Sequence, residues 1–352
     1  MNFLYETDKL IEILRDTLCT FCNTHSIPTP VCTLVMMLAV AGVIAGFVSV
    51  NTMALVLLER KVSGHIQDRL GPMRTGPHGI LQTAADAIKL LQKENITPAS
   101  ADRLVFFLAP IIVFAPAMAA YCAISWSKGV SACDLNLGVL YIIAVGGLGT
   151  VGIILAGWSS GNKWSLLGGM RSAAQIISYE VALLLSFIGV IMINGSLNLA
   201  DLIEGQKRVW YIVCQPLGFL LFLISATAEC NRAPFDIPEA ESELVAGFHT
   251  EYSGMKFAMF FLAEYSNMFI AAALCTTLFL GGWQGIPGLP LLLPPIVWFL
   301  LKVYFIIFIM MWLRWTFPRV RVDQLMGFSW KFLVPLGFFN IGVTGLIITI
   351  RG

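Results

Sequence analysis

Charge is what this sequence has least of. Only 12% of its 352 residues are Asp, Glu, Lys or Arg, while 57% are hydrophobic, and the mean hydropathy is +0.80. Long polar stretches of the kind that build a soluble domain are missing, and apolar runs recur along the whole length, which is the mark of membrane-spanning segments. The runs are continuous, without the alternation of a lipid-facing strand. In lipid only helices or closed barrels satisfy their backbone, so helices are expected to do the spanning. The net charge of +1 provides no electrostatic footprint for a nucleic acid.

Metal and nucleophile chemistry is also short of parts. The eight cysteines are scattered. Cys19 and Cys22 form a C-x-x-C, but no second pair follows at zinc-site spacing, so they read as apolar filler or at most a local disulfide. No cysteine set matches an iron–sulfur cluster. His25, His65, His78 and His249 make no metal-ligand pair, and no Ser-His-Asp or Cys-His arrangement is visible. We therefore assign no catalytic residue and no metal. Gly147-x-Gly149-x-x-Gly152 has the letters of a dinucleotide fingerprint, but it lies in an apolar run with no strand before it and reads as helix-packing glycine.

What is present is an all-α, polytopic membrane protein. Eight transmembrane helices are expected at about 30–58, 102–126, 137–158, 173–194, 209–230, 257–283, 292–317 and 327–350, each holding the roughly 20 residues that a bilayer core needs. The first is over-long, so it should tilt or leave the membrane as a helix. Residues 1–28 form a separate extension. Glu6, Asp8, Glu12 and Asp16 argue against a cleaved signal, and Leu10, Ile11, Leu14 and Leu18 share one face of an amphipathic helix lying on the membrane. Residues 29–352 then form one transmembrane domain. With eight spans both termini lie on one side. Fifteen Lys and Arg belong to the other side and six to the side of the termini, so the richer side is cytoplasmic or matrix. Both termini are then expected on the outer side.

Two inner-side loops are long. Loop 59–101 opens Glu59-Arg60-Lys61, turns at Gly71-Pro72 and Gly76-Pro77, and contains an amphipathic helix over 78–93. Ile80, Ala84, Ala87, Ile88 and Leu91 form its apolar stripe, and Asp86 shares the polar stripe with Lys89 and Lys93, where a mere anchor would not need it. It is too short to span and is expected at the interface. Loop 231–256 carries Asp236, Glu239, Glu241, Glu243 and Glu251, five carboxylates in sixteen residues on an otherwise basic side. Asp236 as N-cap with Glu239 at N3 and Pro238 in the first turn starts a helix. Like charges four apart repel, and such a cluster near low dielectric can exchange protons near neutral pH. Glu180, Glu229 and Glu264 lie within or at the ends of spans, where a carboxylate costs roughly 2.5–3.5 kcal/mol and marks an ion pathway or a packed polar pair. Arg314, Arg319 and Arg321 form a last basic cluster, suited to interfacial anchoring or to an anionic or polar headgroup.

Several segments carry a resemblance: Leu58-Glu59-Arg60-Lys61, Arg69-Leu70-Gly71-Pro72, Ala85-Asp86-Ala87-Ile88-Lys89, the run from Gly169 to Glu180, the run from Asn231 to Leu244, Ala263-Glu264-Tyr265 and the run from Arg319 to Met326. Over about residues 40–350 the chain resembles the subunit 1 family (the H subunit in bacteria) of NADH:quinone oxidoreductase, respiratory complex I. The resemblance implies a membrane-arm subunit that forms the quinone chamber with peripheral-arm subunits and couples quinone reduction to proton translocation. Arg60, Asp86, Arg232, Phe235 and Asp236 would line or support that chamber. Glu180, Glu229, Glu239, Glu241, Glu243, Glu251 and Glu264 would carry protons away from it, with Arg171, Arg314, Arg319 and Arg321 balancing the charge. Quinone, as ubiquinone or menaquinone, would be a bound substrate, with no cofactor held by this chain alone. The implied partners are peripheral quinone-module subunits, adjacent small membrane subunits and the lipid bilayer. Two alternatives stay open: a homologous subunit of a ferredoxin-driven or membrane-bound hydrogenase complex, and an antiporter-like subunit without quinone contact.

Overall fold

The computed structural model describes residues 29–237, 244–287 and 293–351. The extension 1–28 lies outside the described residues, and so do Glu239, Glu241 and Glu243 with the helix start expected around them.

Among the described residues the fold is helical, without strands. Seven helices are long and apolar enough to cross a membrane. They belong to α1 (Thr29–Ile66), α3 (Arg103–Tyr121), α4 (Gly138–Ser159), α5 (Lys163–Asn194), α9 (Gly254–Phe279), α10 (Pro295–Thr316) and a last segment of α11 (Val322–Phe328) and α12 (Val334–Arg351) joined by a π turn at Ser329–Leu333. Shorter pieces are α2 (Gln82–Gln92), α6 (Leu199–Gly205), α7 (Tyr211–Cys214) and α8 (Pro216–Glu229). The expected span 209–230 is thus two pieces, broken at Gln215 (φ −132, ψ 56). The cause is Pro216, which has no N–H to continue a helix and pushes the residue before it out of the helical region.

Small residues let these helices approach closely. A Cβ on Gly152 of α4 would fall 2.5 Å from the Val113 side chain of α3, and one on Gly157 would fall 2.8 Å from the Ser165 carbonyl of α5. This fits the packing use of glycine between helices in lipid. A Cβ on Gly149 would meet nothing within 4 Å, and one on Gly147 would instead fall 3.3 Å from a Glu180 carboxylate oxygen. The centre of the bundle is α9, buried continuously from Met268 to Phe279 and packed against α1, α3, α8 and α10.

The loops gather at two opposite faces. On one, the Asp102 N–H donates to the Ser159 carbonyl at 3.1 Å and the Val320 N–H to the Pro234 carbonyl at 3.1 Å, while the Asn162 amide donates to Glu251 at 2.7 Å. On the other, Asn198 donates to Asp134 at 2.8 Å and Gln284 to the Ile203 carbonyl at 2.6 Å. The C-terminus of α9 ends on this second face in Leu280, Gly281 and Gly282. Its orphan carbonyls are met by Lys302 of α10, whose Nζ donates to Leu280 at 2.6 Å, Gly282 at 3.0 Å and Gln284 at 2.6 Å.

Candidate functional site

The first face carries a buried charge network. Helix α1 does not end at residue 58, as the composition suggested, but runs on to Ile66, so Glu59 sits on a helical turn and not in a loop. Its carboxylate accepts from Arg232 Nη1 at 3.1 and 3.0 Å, from the Tyr265 hydroxyl at 2.8 Å and from Arg314. The Arg232 Nε lies 3.0 Å from Glu264, and its guanidinium stacks 4.4 Å over the Tyr265 ring. Two carboxylates and two guanidiniums thus balance to zero. The Glu59 and Arg232 side chains are only 8% and 4% exposed, and such charges are tolerated only when paired. Burial works against the Arg232 charge, yet the flanking Glu264 and Glu59 carboxylates more than offset it and hold its pKa above the ordinary guanidinium value.

Four adjoining cavities run through this region. The largest of them, of about 440 Å³, is mainly apolar and lies between α1, α2 and α9, with Met53, Val56, Leu90, Met255 and Leu262 among its lining. Arg60 and Asp86 stand on its wall, paired at 2.6 Å with side chains 45% and 36% exposed, and Gln82 donates to the same carboxylate at 3.3 Å. Val56, Arg60 and Phe261 also line the next cavity, of about 260 Å³, which holds Glu59, Arg232, Glu264 and Arg314. Glu264 and Phe261 pass into a third, of about 110 Å³, with Glu229, Asn231, His249 and Asn267. Glu229 and Asn267 continue into a fourth, of about 70 Å³, against Gly146, Gly149 and Thr150 of α4. The series therefore runs from an apolar cleft, through the ionic network, to two mainly apolar cavities that share the Glu229 carboxylate.

The structure brings together Arg60, Asp86, Arg232, Arg314, Glu264 and Glu229. Asp86 pairs with Arg60 on another helix, although its own helix carries Lys89 and is followed directly by Lys93. Phe235 and Asp236 stand to one side: the Phe235 ring packs 5.6 Å from Tyr179, its carbonyl accepts from Gln175 at 2.7 Å, and Asp236 lies 3.6 Å from Arg319. Glu180 borders Gly147 of α4. Glu251 is held by Asn162, the N-cap residue of α5. Arg321 reaches Asp323 at 3.9 Å where both are largely exposed, and Arg171 lines none of the four cavities. Sequence reasoning missed Glu59, Tyr265 and Asn267. Glu59 carried a usable signal, a carboxylate directly after an apolar run with Arg and Lys behind it. Tyr265 and Asn267 carried none beyond lying near Glu264 on one helix.

The fold and site define a multi-pass helical membrane protein with an ionic chamber opening from an apolar cleft. The family described as NADH dehydrogenase is matched over residues 38–345. The H subunit of NADH-quinone oxidoreductase from Anoxybacillus flavithermus is 55% identical over 306 residues, 87% of this chain and 90% of that protein. The protein of the same name from Carboxydothermus hydrogenoformans is 47% identical over 323 residues, 92% of each chain. That of Dehalococcoides mccartyi is 51% identical over 308 residues, 88% of this chain and 86% of that protein. The chain belongs to this NADH dehydrogenase family.

Proposed function

We propose that this chain is the membrane-arm subunit of a proton-pumping NADH:quinone oxidoreductase, where it forms the quinone chamber together with peripheral-arm subunits. The observation that carries the reading is the graded series of cavities. An apolar cleft suits an isoprenoid tail arriving from the bilayer, the Arg60–Asp86 pair suits a polar headgroup at its mouth, and the Glu59–Arg232–Glu264–Arg314 network lies directly behind. Helix α2 would rest at the membrane interface with Ile88 and Leu91, and Ile80 of the turn before it, turned outward, all of them exposed. The eighth crossing would be the broken pair α7 and α8, which together cover Tyr211–Glu229. This puts the charged face in the cytoplasm or matrix and both termini outside.

Quinone reduction takes two electrons, supplied by a cluster in a partner subunit, and two protons. Charge arriving on the headgroup would perturb a zero-sum ion network in low dielectric far more than one in water. Glu264 can pass that change to Glu229, and Glu180 lies beyond. Asp236, Glu239, Glu241, Glu243 and Glu251 would extend the route along the face, with Arg319 holding Asp236. Charge-removing substitutions Glu241→Gln and Asp236→Asn should abolish quinone-coupled proton pumping in membrane vesicles while NADH oxidation by artificial acceptors persists. Full pumping in both variants would sink the proposal. The proteins that co-purify decide the alternatives: a flavin NADH module supports this reading, and a ferredoxin-docking or nickel hydrogenase module supports the related complexes.

A further inference from the structure

The face opposite the ion network carries two cysteines that no part of the quinone reading uses. Helix α3 ends at Tyr121 and α4 begins at Gly138. Between them the chain folds back on itself: the Trp126 N–H donates to the Val130 carbonyl at 3.0 Å, the Val130 N–H to Ser127 at 3.1 Å, and the Cys133 N–H to the Cys122 carbonyl at 2.9 Å. The last bond sets the two cysteines opposite each other. With ordinary backbone bond lengths it keeps their Cα atoms within about 7 Å, the limit for a disulfide that needs no backbone movement. Both thiols interact electrostatically with one group, the Tyr141 hydroxyl, which itself donates to the Ala119 carbonyl at 3.4 Å. Both are free thiols, Cys133 exposed and Cys122 half-buried.

We propose that Cys122 and Cys133 are a dithiol–disulfide pair that locks the turn between α3 and α4. The oxidant is a disulfide carrier, protein or small molecule, acting by exchange. The exposed Cys133 thiolate attacks a carrier sulfur, a Cys133–carrier bond forms, the carrier S–S bond breaks, and the departing sulfur takes up the Cys133 proton. The Cys122 sulfur then attacks Cys133, the carrier sulfur leaves with the Cys122 proton, and the carrier has gained two electrons and two protons. The order follows from access: burial, and secondarily the neighbouring Cys133, pushes the Cys122 thiol up, so it is the poorer first nucleophile. Under the orientation proposed above, this face looks outward into the compartment where disulfides persist.

The test uses the intact detergent-solubilised complex. It is treated with oxidised glutathione, trapped with N-ethylmaleimide, digested and read by mass spectrometry. The expected result is Cys122 and Cys133 joined, lighter by two hydrogens and unlabelled until a reductant is added, while Cys214, exposed and without a facing thiol among the described residues, takes glutathione or label. Both cysteines separately alkylated, or a lasting glutathione adduct on Cys133 beside an alkylated Cys122, would overturn the pairing. In Cys133→Ser, Cys122 should stay fully alkylated. A bridge from Cys122 to another cysteine there would also count against it. Right-side-out vesicles, first reduced with dithiothreitol, washed and then exposed to a membrane-impermeant maleimide, test the orientation separately. Labelled Cys133 supports an outward face, and label that appears only with a permeant reagent overturns the orientation but not the pairing.

Discussion

The two loop faces of this bundle solve the same problem, closing helix ends near a membrane, by different means. The second face buries one cation at the end of α9, while its other charges, among them Asp134, Asp201 and the Glu204–Lys207 pair, lie exposed at the surface. Lys302 meets the Leu280, Gly282 and Gln284 carbonyls after α9, Asn198 caps α6 by accepting from the Ala200 N–H, and Gly195 caps α5. The first face uses charge against charge, with Glu59, Arg232, Glu264 and Arg314 paired out of water. Hydrogen bonds to backbone hold a shape and respond to little. A buried ion network responds to any charge placed beside it, because each member is balanced only by the others. The contrast separates a face closed largely by hydrogen bonds to backbone from one held by buried charge pairs.

The comparison can be broken most severely at Arg232. Arg232→Met leaves Glu59 and Glu264 without their shared partner and should destabilise the protein by about 3–5 kcal/mol. It should be seen as lost assembly and lost NADH:quinone activity in membranes. The double variant Arg232→Met with Glu59→Gln should recover assembly in part, since removing both members of a buried pair is far less costly than removing one. Overpacking at Gly152→Leu comes next, forcing α4 away from α3 at about 1–3 kcal/mol, visible as a lower thermal midpoint of the solubilised complex. On the second face, Lys302→Met strands three carbonyls and should cost a similar 1–3 kcal/mol or so. It should lower thermal stability while leaving sensitivity to quinone-site inhibitors unchanged, the outcome that separates scaffold from site. The smallest stability effect belongs to Asp86→Asn. Its pair with Arg60 is too exposed to contribute more than about 1 kcal/mol, so the change should be read as a raised apparent KM for quinone with an unaltered thermal midpoint.

Much of this was legible beforehand. The apolar runs marked the helices because every backbone group in lipid must be satisfied within its own segment, so length and hydropathy suffice. Glu180, Glu229 and Glu264 were visible because a carboxylate in an apolar run is costly enough to need a reason. The end of α1 was misplaced because Glu59-Arg60-Lys61 reads as the start of a polar loop, whereas the helix continues and uses one of those residues inward. The break at Gln215 was within reach, since Pro216 announces it.

Composition and spacing by themselves determined that the chain is a helical membrane protein and which acids are out of place. These are local properties, set by each segment's own transfer from water. The tertiary structure alone decided that Glu59, Arg232, Glu264 and Arg314, drawn from four separate stretches of chain, share one chamber, and that Phe235 and Asp236 pack beside it. Partners so far apart in sequence meet only through helix packing, and packing depends on the fit of whole surfaces, which no local pattern encodes.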